Sequence, residues 1–293
     1  MFFITGAAGH FGRAVIDHLL GTCHVPANQI IAGTRKPEDL AALAAKGVTV
    51  RAADFDNESQ LAQAFTGATR LLLISTNAME PGQRLRQHQN AVRAAETAGV
   101  KHVVYTSMPN PETSAVLFAP DHVGTEKALA SAKIEGFTIL RNNWYFENLF
   151  YSLPQALKSG TQYSAAGQGK IAQIARDDLA RAAATVLASD RSGKQTYTLS
   201  GAKAYTTDEI AQLVSAATGK PLKLVHVPPA GLLQGMMDAG LPEGMAKMFA
   251  SFDANTALGK LDGNADDFKA LTGVAPVPFE QWLKNNAAAL AAA

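Results

Sequence analysis

Phe2-Phe3-Ile4-Thr5-Gly6-Ala7-Ala8-Gly9-His10-Phe11-Gly12 opens the chain, and this stretch decides the fold. The apolar run Phe2–Thr5 reads as a strand, and beyond the glycines Val15, Ile16, Leu19 and Leu20 fall on one helical face. A glycine turn between a strand and a helix is the context in which backbone cradles a phosphate. Gly6 permits the tight turn, Gly9 lets the backbone approach a pyrophosphate, and Gly12 lets helix and strand pack closely, with the helix N-terminus donating N–H groups to the anion. Gly6, Ala7, Ala8, Gly9, His10, Phe11 and Gly12 are therefore candidate dinucleotide contacts. The plain alternative is a glycine-rich turn with no ligand.

Outward from this turn the same rhythm repeats. Candidate strands lie at Gln29–Gly33, Val48–Ala52, Arg70–Ile74, His102–Thr106 and Phe137–Arg141, separated by amphipathic stretches. Pro37 precedes Glu38 and Asp39 as a first helical residue should, and Gly67 and Gly99 stand where helices should stop. Alternation of this kind predicts a Rossmann-type doubly wound α/β fold, with a parallel sheet covered on both faces. After about residue 145 the rhythm fails. Helical patterns at Asp177–Ala188 and Thr207–Thr218, the latter led by the capping-box pair Thr206 and Glu209, alternate with strand-like Gln195–Leu199 and Leu222–Val227. Pro228 to Asp267 is rich in Gly, Met, Ala and Pro, and Asn286–Ala293 reads as a frayed helix end. The expected division is a nucleotide-binding domain over 1–150 and a smaller, mostly helical lobe over 151–293, with the chain free to cross between them.

Hydrophobic residues make up 47% of the 293 and charged residues 17%, enough apolar surface to exclude global disorder. Lys and Arg number 26 against 25 Asp and Glu, so no broad attraction to nucleic acid or anionic lipid is expected. The single cysteine, Cys23, allows no internal disulfide and no cysteine-based metal site. No basic and apolar leader precedes the first strand, and no apolar run reaches the roughly 18 residues of a membrane helix. The expected compartment is the cytoplasm, and the composition is compatible with a homodimer without requiring one.

Ligands of open α/β sheets bind beyond the carboxyl ends of the strands, so each strand end is a candidate. Where an NAD site carries an acidic residue, the second strand ends on Thr34-Arg35-Lys36. The Arg35 guanidinium suits a 2′-phosphate and adenine, which predicts NADP(H); the bland alternative is a pair of solvated loop charges. Asp54-Phe55 are placed to border adenine, although Phe55 could equally be core, and Ile74-Ser75-Thr76 to run beneath the ribose and pyrophosphate. Thr106 and Ser107 end the fifth strand. A carbonyl-reducing short-chain dehydrogenase uses Tyr-x-x-x-Lys. Here Lys127 stands with Val123 at the tyrosine position, which leaves a ribose-binding lysine without a phenol. Nearby His122 reads more simply as a structural residue. Asn142-Asn143-Trp144-Tyr145 follows the sixth strand and could stack a flat aromatic substrate, or else pack the lobe junction. Lys127, Asn143 and Tyr145 are the candidates for roles near the reacting atoms. The turn Ala165–Ile171, with Gly167 and Gly169, is a candidate flap over the cofactor.

The chain resembles the NmrA-like atypical short-chain dehydrogenases, on the side of the bacterial type 2 quinone oxidoreductases and triphenylmethane dye reductases. Ile4–Gly9, Gly47–Asp54, Leu71–Ser75, Ala98–Lys101, Tyr105–Ser107, Thr125–Lys127 and Leu140–Asn142 carry the likeness, while Gly67–Arg70 and Pro228–Asp267 match less closely. The resemblance implies NADPH held by Gly6–Phe11, Arg35, Ser75, Lys127 and Asn142–Tyr145, with a quinone or dye beside the nicotinamide. It also admits a different class, an NADP(H)-binding redox sensor without turnover, and a weaker one, a carbonyl or imine reductase with His122 as proton donor.

Overall fold

The computed structural model describes residues 1–292. Five βα steps and a sixth strand come first: β1 (Phe2–Ile4), α1 (His10–Gly21), β2 (Ile30–Thr34), α2 (Ala41–Ala44), β3 (Thr49–Ala52), α3 (Glu58–Phe65), β4 (Arg70–Leu73), α4 (Gln83–Thr97), β5 (His102–Ser107), α5 (Ala119–Ser131) and β6 (Gly136–Asn142). The predicted strands are all present within a residue or two at each end. Pro37 opens a short 3₁₀ turn over Pro37–Leu40 and fixes its first φ. Gly67 and Gly99 adopt φ of +82° and +72°, the left-handed conformation that lets a chain leave a helix.

The second half interleaves two destinations. α6 (Leu149–Ser159), β7 (Thr161–Ser164) and β8 (Lys170–Ile171) leave the sheet; α7 (Arg176–Ala188) and β9 (Lys194–Leu199) return to it; β10 (Tyr205–Thr206), α8 (Thr207–Thr218), β11 (Lys223–His226), α9 (Pro229–Asp238) and α10 (Glu243–Ala257) leave again. α11 (Asp266–Thr272) packs back on α7 and β9, and α12 (Phe279–Ala292) closes the lobe against α6 and α8. The predicted capping box is formed: Thr206 Oγ1 accepts from the Glu209 N–H and the Glu209 carboxylate accepts from the Thr206 N–H.

Seven parallel strands run in the order β3-β2-β1-β4-β5-β6-β9. The chain reverses its direction of winding between β1 and β4, which is where an open sheet forms a ligand crevice. Alternation sorts the side chains: Phe3, Ile31, Leu71 and Val103 face α3, α4 and α5, while Ile4, Ala32, Leu72 and Val104 face α1 and α7. Both faces of the inner strands are buried, so β1, β2 and β4 are largely apolar, whereas the edge strands β3 and β9 are half-exposed and carry polar residues such as Arg51, Lys194 and Gln195. Phe146, Leu153, Tyr205, Val214, Trp282 and Leu283 form a separate lobe core.

Two expectations need correction. Gln195–Leu199, read as part of the second lobe, is the edge strand of the main sheet, with Phe137 opposite Lys194 and Asn142 opposite Leu199. Its membership is masked in the sequence by the insertion of α6, β7 and β8 between it and its partner. Asn286–Ala292 is a continuous part of α12 with Leu290 fully buried; Leu283 and Leu290 lie seven residues apart on one face, and the intervening alanines are strong helix formers. Ala293 lies outside the described residues.

Candidate active site

The crevice is built from strand ends. Past β1, Gly6 turns with φ +59°, the Ala7 N–H donates to the Gly33 carbonyl, and Gly9 caps α1 in extended backbone, φ −75° and ψ 162°. No side chain caps α1 and no acidic residue occupies its first turn, so its free N–H groups face outward unopposed. Each glycine has a separate reason. A Cβ on Gly12 would sit 2.5 Å from the Gly6 carbonyl oxygen and 2.8 Å from Ala7 Cα, so Gly12 is fixed by packing. A Cβ on Gly9 would meet only the Gly6 oxygen at 3.3 Å, so the protein itself leaves room there. Gly6, Gly9 and His10 are exposed, Ala7 is buried, and Ala8 and Phe11 line the turn.

Beyond β2, Arg35 and Lys36 are both exposed. Beside them Arg13 donates to the Ala8 and Asp39 carbonyls at 3.0 Å each, tying the glycine turn to the 3₁₀ turn. Asp54 is engaged locally, its Oδ1 accepting from the Asp56 N–H, and Phe55 is half-buried against the core below the sheet. Beyond β4, three successive backbone N–H groups are taken by side chains from three elements. Ile74 donates to Thr5 Oγ1 at 2.9 Å, Ser75 to Thr106 Oγ1 at 2.9 Å, and Thr76 to His88 Nε2 at 2.9 Å. Thr106 is thus engaged in holding the loop.

Ser107 does not offer its proton to the crevice: its hydroxyl donates to Glu126 Oε1 at 2.6 Å, and Arg141 binds Glu126 at 3.1 and 2.6 Å and Glu112 at 2.6 Å. The two carboxylates hold Arg141 above its ordinary value against the desolvation of its burial. Val123 occupies the tyrosine position, so no phenol stands beside Ser107. Lys127 is exposed on α5 and lines an open concavity of ≈ 550 Å³ with Pro111, Glu112, Ser114, Val123 and Gly124. No other candidate residue lines it, so this concavity does not bring Lys127 together with the glycine turn or the β6 loop.

Beyond β6 the four candidates divide. Asn142 is buried, and neither its Nδ2 nor its Oδ1 has a hydrogen-bond partner; its approach to the Tyr145 hydroxyl falls short of hydrogen-bond geometry. Thr76 Oγ1 is likewise unpartnered. Buried polar groups of this kind carry a cost of ~1–3 kcal/mol each unless a ligand meets them, and two of them on the crevice fit a polar, extended cofactor. Asn143 is different. Its amide donates to Ser200 Oγ at 3.1 Å and the Leu261 carbonyl at 3.0 Å while its Oδ1 accepts from the Trp144 N–H at 2.8 Å. Those bonds assign Asn143 to holding the loop, a correction to its reading as a group presented to the reacting atoms. Tyr145 stacks on Phe11 with ring centroids 6.3 Å apart and planes 8° from parallel, joining the glycine turn to β6. Burial pushes its hydroxyl up, opposed by the charge of Arg176, whose guanidinium lies 5.7 Å from the ring. Trp144 packs edge-on to Phe252 of α10 at 5.4 Å.

The turn between β7 and β8 is held from behind by α10. Asp253 accepts from Ser164 Oγ at 2.8 Å and from the Ala165 N–H at 2.7 Å, and a Cβ on Gly169 would collide with the Thr256 carbonyl, so the turn is packed on α10. His122 is buried with Nδ1 2.7 Å from the Tyr105 hydroxyl, and burial with nearby Arg84 and His88 holds it well below the usual histidine range. His88, Glu126 and Arg13 were invisible to sequence reasoning. Only the position of Arg13, immediately after Gly12, could have marked it.

Comparison with known proteins agrees with this geometry. The NmrA-like family model matches residues 2–283. The chain is 42% identical over 272 residues to quinone oxidoreductase 2 of Escherichia coli, covering 93% of this chain and 92% of that one. A crystal structure of the Escherichia coli NADPH-dependent quinone oxidoreductase complexed with NADPH superposes with TM-score 0.91 at 40% identity, covering 99% of both chains. That of the Citrobacter sp. triphenylmethane reductase complexed with NADP(H) gives 0.89 at 35% identity, over 98% of this chain and all of the other. A chain matched by the family model almost end to end, with the glycine turn and the phenol-free α5 just described, belongs to the NmrA-like family.

Proposed function

We propose that this protein is an NADPH-dependent oxidoreductase that delivers hydride to a quinone or a similarly electrophilic planar dye. One observation carries the choice of acceptor: the place of a proton-donating phenol is Val123, and the neighbouring Ser107 proton is held by Glu126. A simple carbonyl needs an acid at its oxygen. A quinone does not, because its reduced form is aromatic. When bound, NADPH supplies the hydride, two electrons with one proton, and solvent supplies the second proton that completes a hydroquinone.

This chain's residues then have a positioning task. The α1 N-terminus with Gly6, Ala7, Ala8, Gly9, His10 and Phe11 receives the pyrophosphate, and Arg35 pairs with the 2′-phosphate. Ser75 and Thr76 border the ribose, and Asn142 offers both halves of its free amide to the nicotinamide end. Tyr145 and Trp144 bound the stacking space, and Lys127 approaches from α5. Quinone oxidoreductase 2, the triphenylmethane reductase and the azoreductase of Xenophilus azovorans, 25% identical over the whole chain, support a planar acceptor.

Among the described residues no helix is long and apolar enough to cross a membrane, and no His, Cys, Asp and Glu cluster could hold a metal ion. The single cysteine supports a reducing compartment such as the cytoplasm, and the near-neutral charge balance supports work without nucleic acid; a homodimer is tested by light scattering. The deciding experiment is an NADPH oxidation screen across quinones, dyes and carbonyls. Turnover with quinones or dyes and none with simple carbonyls is the expected outcome. Tight NADPH binding with no turnover on any acceptor would move the protein to the redox-sensor class.

A further inference from the structure

We infer that His88, a buried residue of α4 outside the crevice, is a positioning residue for the bound cofactor. It acts by fixing the backbone of Thr76 and coupling it to α5. The inference rests on the reading that residues 74–76 border NADPH. Past the end of β4 the chain leaves the sheet, so its N–H groups lose their ladder partners and need others. Thr5 and Thr106, from the two strands flanking β4, take the first two. No neighbouring strand reaches the third, and the Thr76 N–H donates instead to an imidazole rising from the helix beneath, at 2.9 Å.

That bond determines the tautomer. His88 Nε2 must carry a lone pair, so the ring proton is on Nδ1, and Nδ1 donates to Thr125 Oγ1 at 2.8 Å. Thr125 in turn donates to the Asp121 carbonyl at 2.7 Å, so its oxygen is turned to accept. The result is a one-directional chain: Thr76 N–H, His88, Thr125, Asp121. One end is the loop placed under the ribose, and the other is the α5 turn from Asp121 to Thr125, two residues before Lys127. The two middle members, His88 and Thr125, are fully buried, and the end members Thr76 and Asp121 are half-buried.

The chain holds only while His88 is neutral. Burial and the Arg84 guanidinium push its pKa down to about 3, and the Tyr105 hydroxyl and His122 ring that face it from β5 and α5 bring no charge. The arrangement therefore persists across the working pH range. A leucine would fill the ring's place and leave the Thr76 N–H without an acceptor. A glutamine can return one, because its Oε1 falls near the position of Nε2.

The test compares His88→Leu, His88→Gln and Leu129→Ala, the last removing a buried α5 side chain of the core that makes no hydrogen bond. NADPH dissociation constants, the KM for NADPH and for benzoquinone, and Tm are measured in the full-length protein. His88→Leu should raise Kd and KM for NADPH about tenfold, the equivalent of one hydrogen bond of ~1.4 kcal/mol, and leave the benzoquinone KM unchanged. His88→Gln should recover most of that loss. Leu129→Ala should lower Tm at least as much while binding NADPH like the wild type. Unchanged NADPH affinity in His88→Leu, no recovery in His88→Gln, or an equal loss in Leu129→Ala each overturns the inference. Gly9→Val separates the two readings: if it abolishes NADPH binding and His88→Leu does not weaken it, only the role of His88 falls. If Gly9→Val binds NADPH normally, the cofactor reading itself falls and the inference falls with it.

Discussion

Gly9 and Gly12 stand three residues apart in one turn, yet substitution should damage different properties at the two positions. Valine at 9 inherits φ −75° and ψ 162°, backbone that β-branched residues favour, and its Cβ has a single neighbour at 3.3 Å. Its effect on folding should stay within about 1 kcal/mol, a shift of a few degrees in Tm. If the pyrophosphate meets the α1 N–H groups as proposed, the valine methyl groups compete with it for that space. Loss of about two charge-assisted hydrogen bonds at ~1.5–3 kcal/mol each predicts an NADPH affinity lower by about 10²- to 10⁴-fold. Alanine at 12 meets the reverse situation: its Cβ would lie 2.5 Å from one backbone atom and 2.8 Å from another, neither of which can swing aside. Overpacking of about 1–3 kcal/mol should lower Tm by several degrees at ~2–4 °C for each kcal/mol. Thermal unfolding and NADPH fluorescence titration of both variants measure the two properties side by side. A folded Gly9→Val that binds NADPH like the wild type would refute the placement of the phosphates, and a Gly12→Ala of unchanged Tm would refute the packing account.

Three further outcomes are expected. Arg35→Asp should erase or invert a preference for NADPH over NADH, since it replaces a charge-assisted pair worth about 1.5–3 kcal/mol by repulsion; equal affinities in the wild type would remove the basis for assigning the 2′-phosphate to Arg35. Single-turnover NADPH oxidation by a benzoquinone should be nearly flat from about pH 6 to 9 and insensitive to His122→Ala, because burial keeps both His122 and His88 neutral throughout that range. A titration near ~6.5 that vanishes in His122→Ala would instead identify a histidine acid. Asp178 accepts from the Val277 N–H at 2.8 Å, and burial pushes its carboxyl up to about 6. A carboxyl raised by folding binds more protons folded than unfolded, so its stabilising contribution is present below about pH 4 and is lost as pH rises through about 6. Asp178→Asn, which keeps an acceptor for Val277, should raise Tm at pH 7.5 and not at pH 4.5; no gain at pH 7.5 would count against a strained carboxylate there.

Strand positions, helix stops and the glycine turn were legible because each rests on local chemistry: period-two and period-3.6 burial, left-handed glycines, and a turn too tight for side chains. The missing phenol was legible too, by counting from Lys127 to Val123. Contacts between distant elements were not. Nothing near Ser107 in the sequence announces that Glu126 and Arg141 will occupy its hydroxyl. Nothing in Asn142-Asn143 says that one amide will be tied to Ser200 and Leu261 while its neighbour stays free. The placement of β9 failed for the same reason: a strand of six ordinary residues is assigned to a sheet by its neighbours, and those neighbours lie more than fifty residues away.

The interleaving of the second half bears on how this protein can be cut and recombined. A fragment ending near residue 150 lacks the outer edge of its own sheet and leaves the apolar side of α1 uncovered, because α7, which shields Val15, Ile16 and Leu19, comes later in the chain. The lobe cannot be excised either, since its segments enter and leave through the sheet's edge. Exchange of acceptor preference between relatives therefore requires grafting separate inserts into one continuous scaffold, with Arg176–Leu199 left in place. Proteolysis at a single junction should leave two nicked pieces that remain associated.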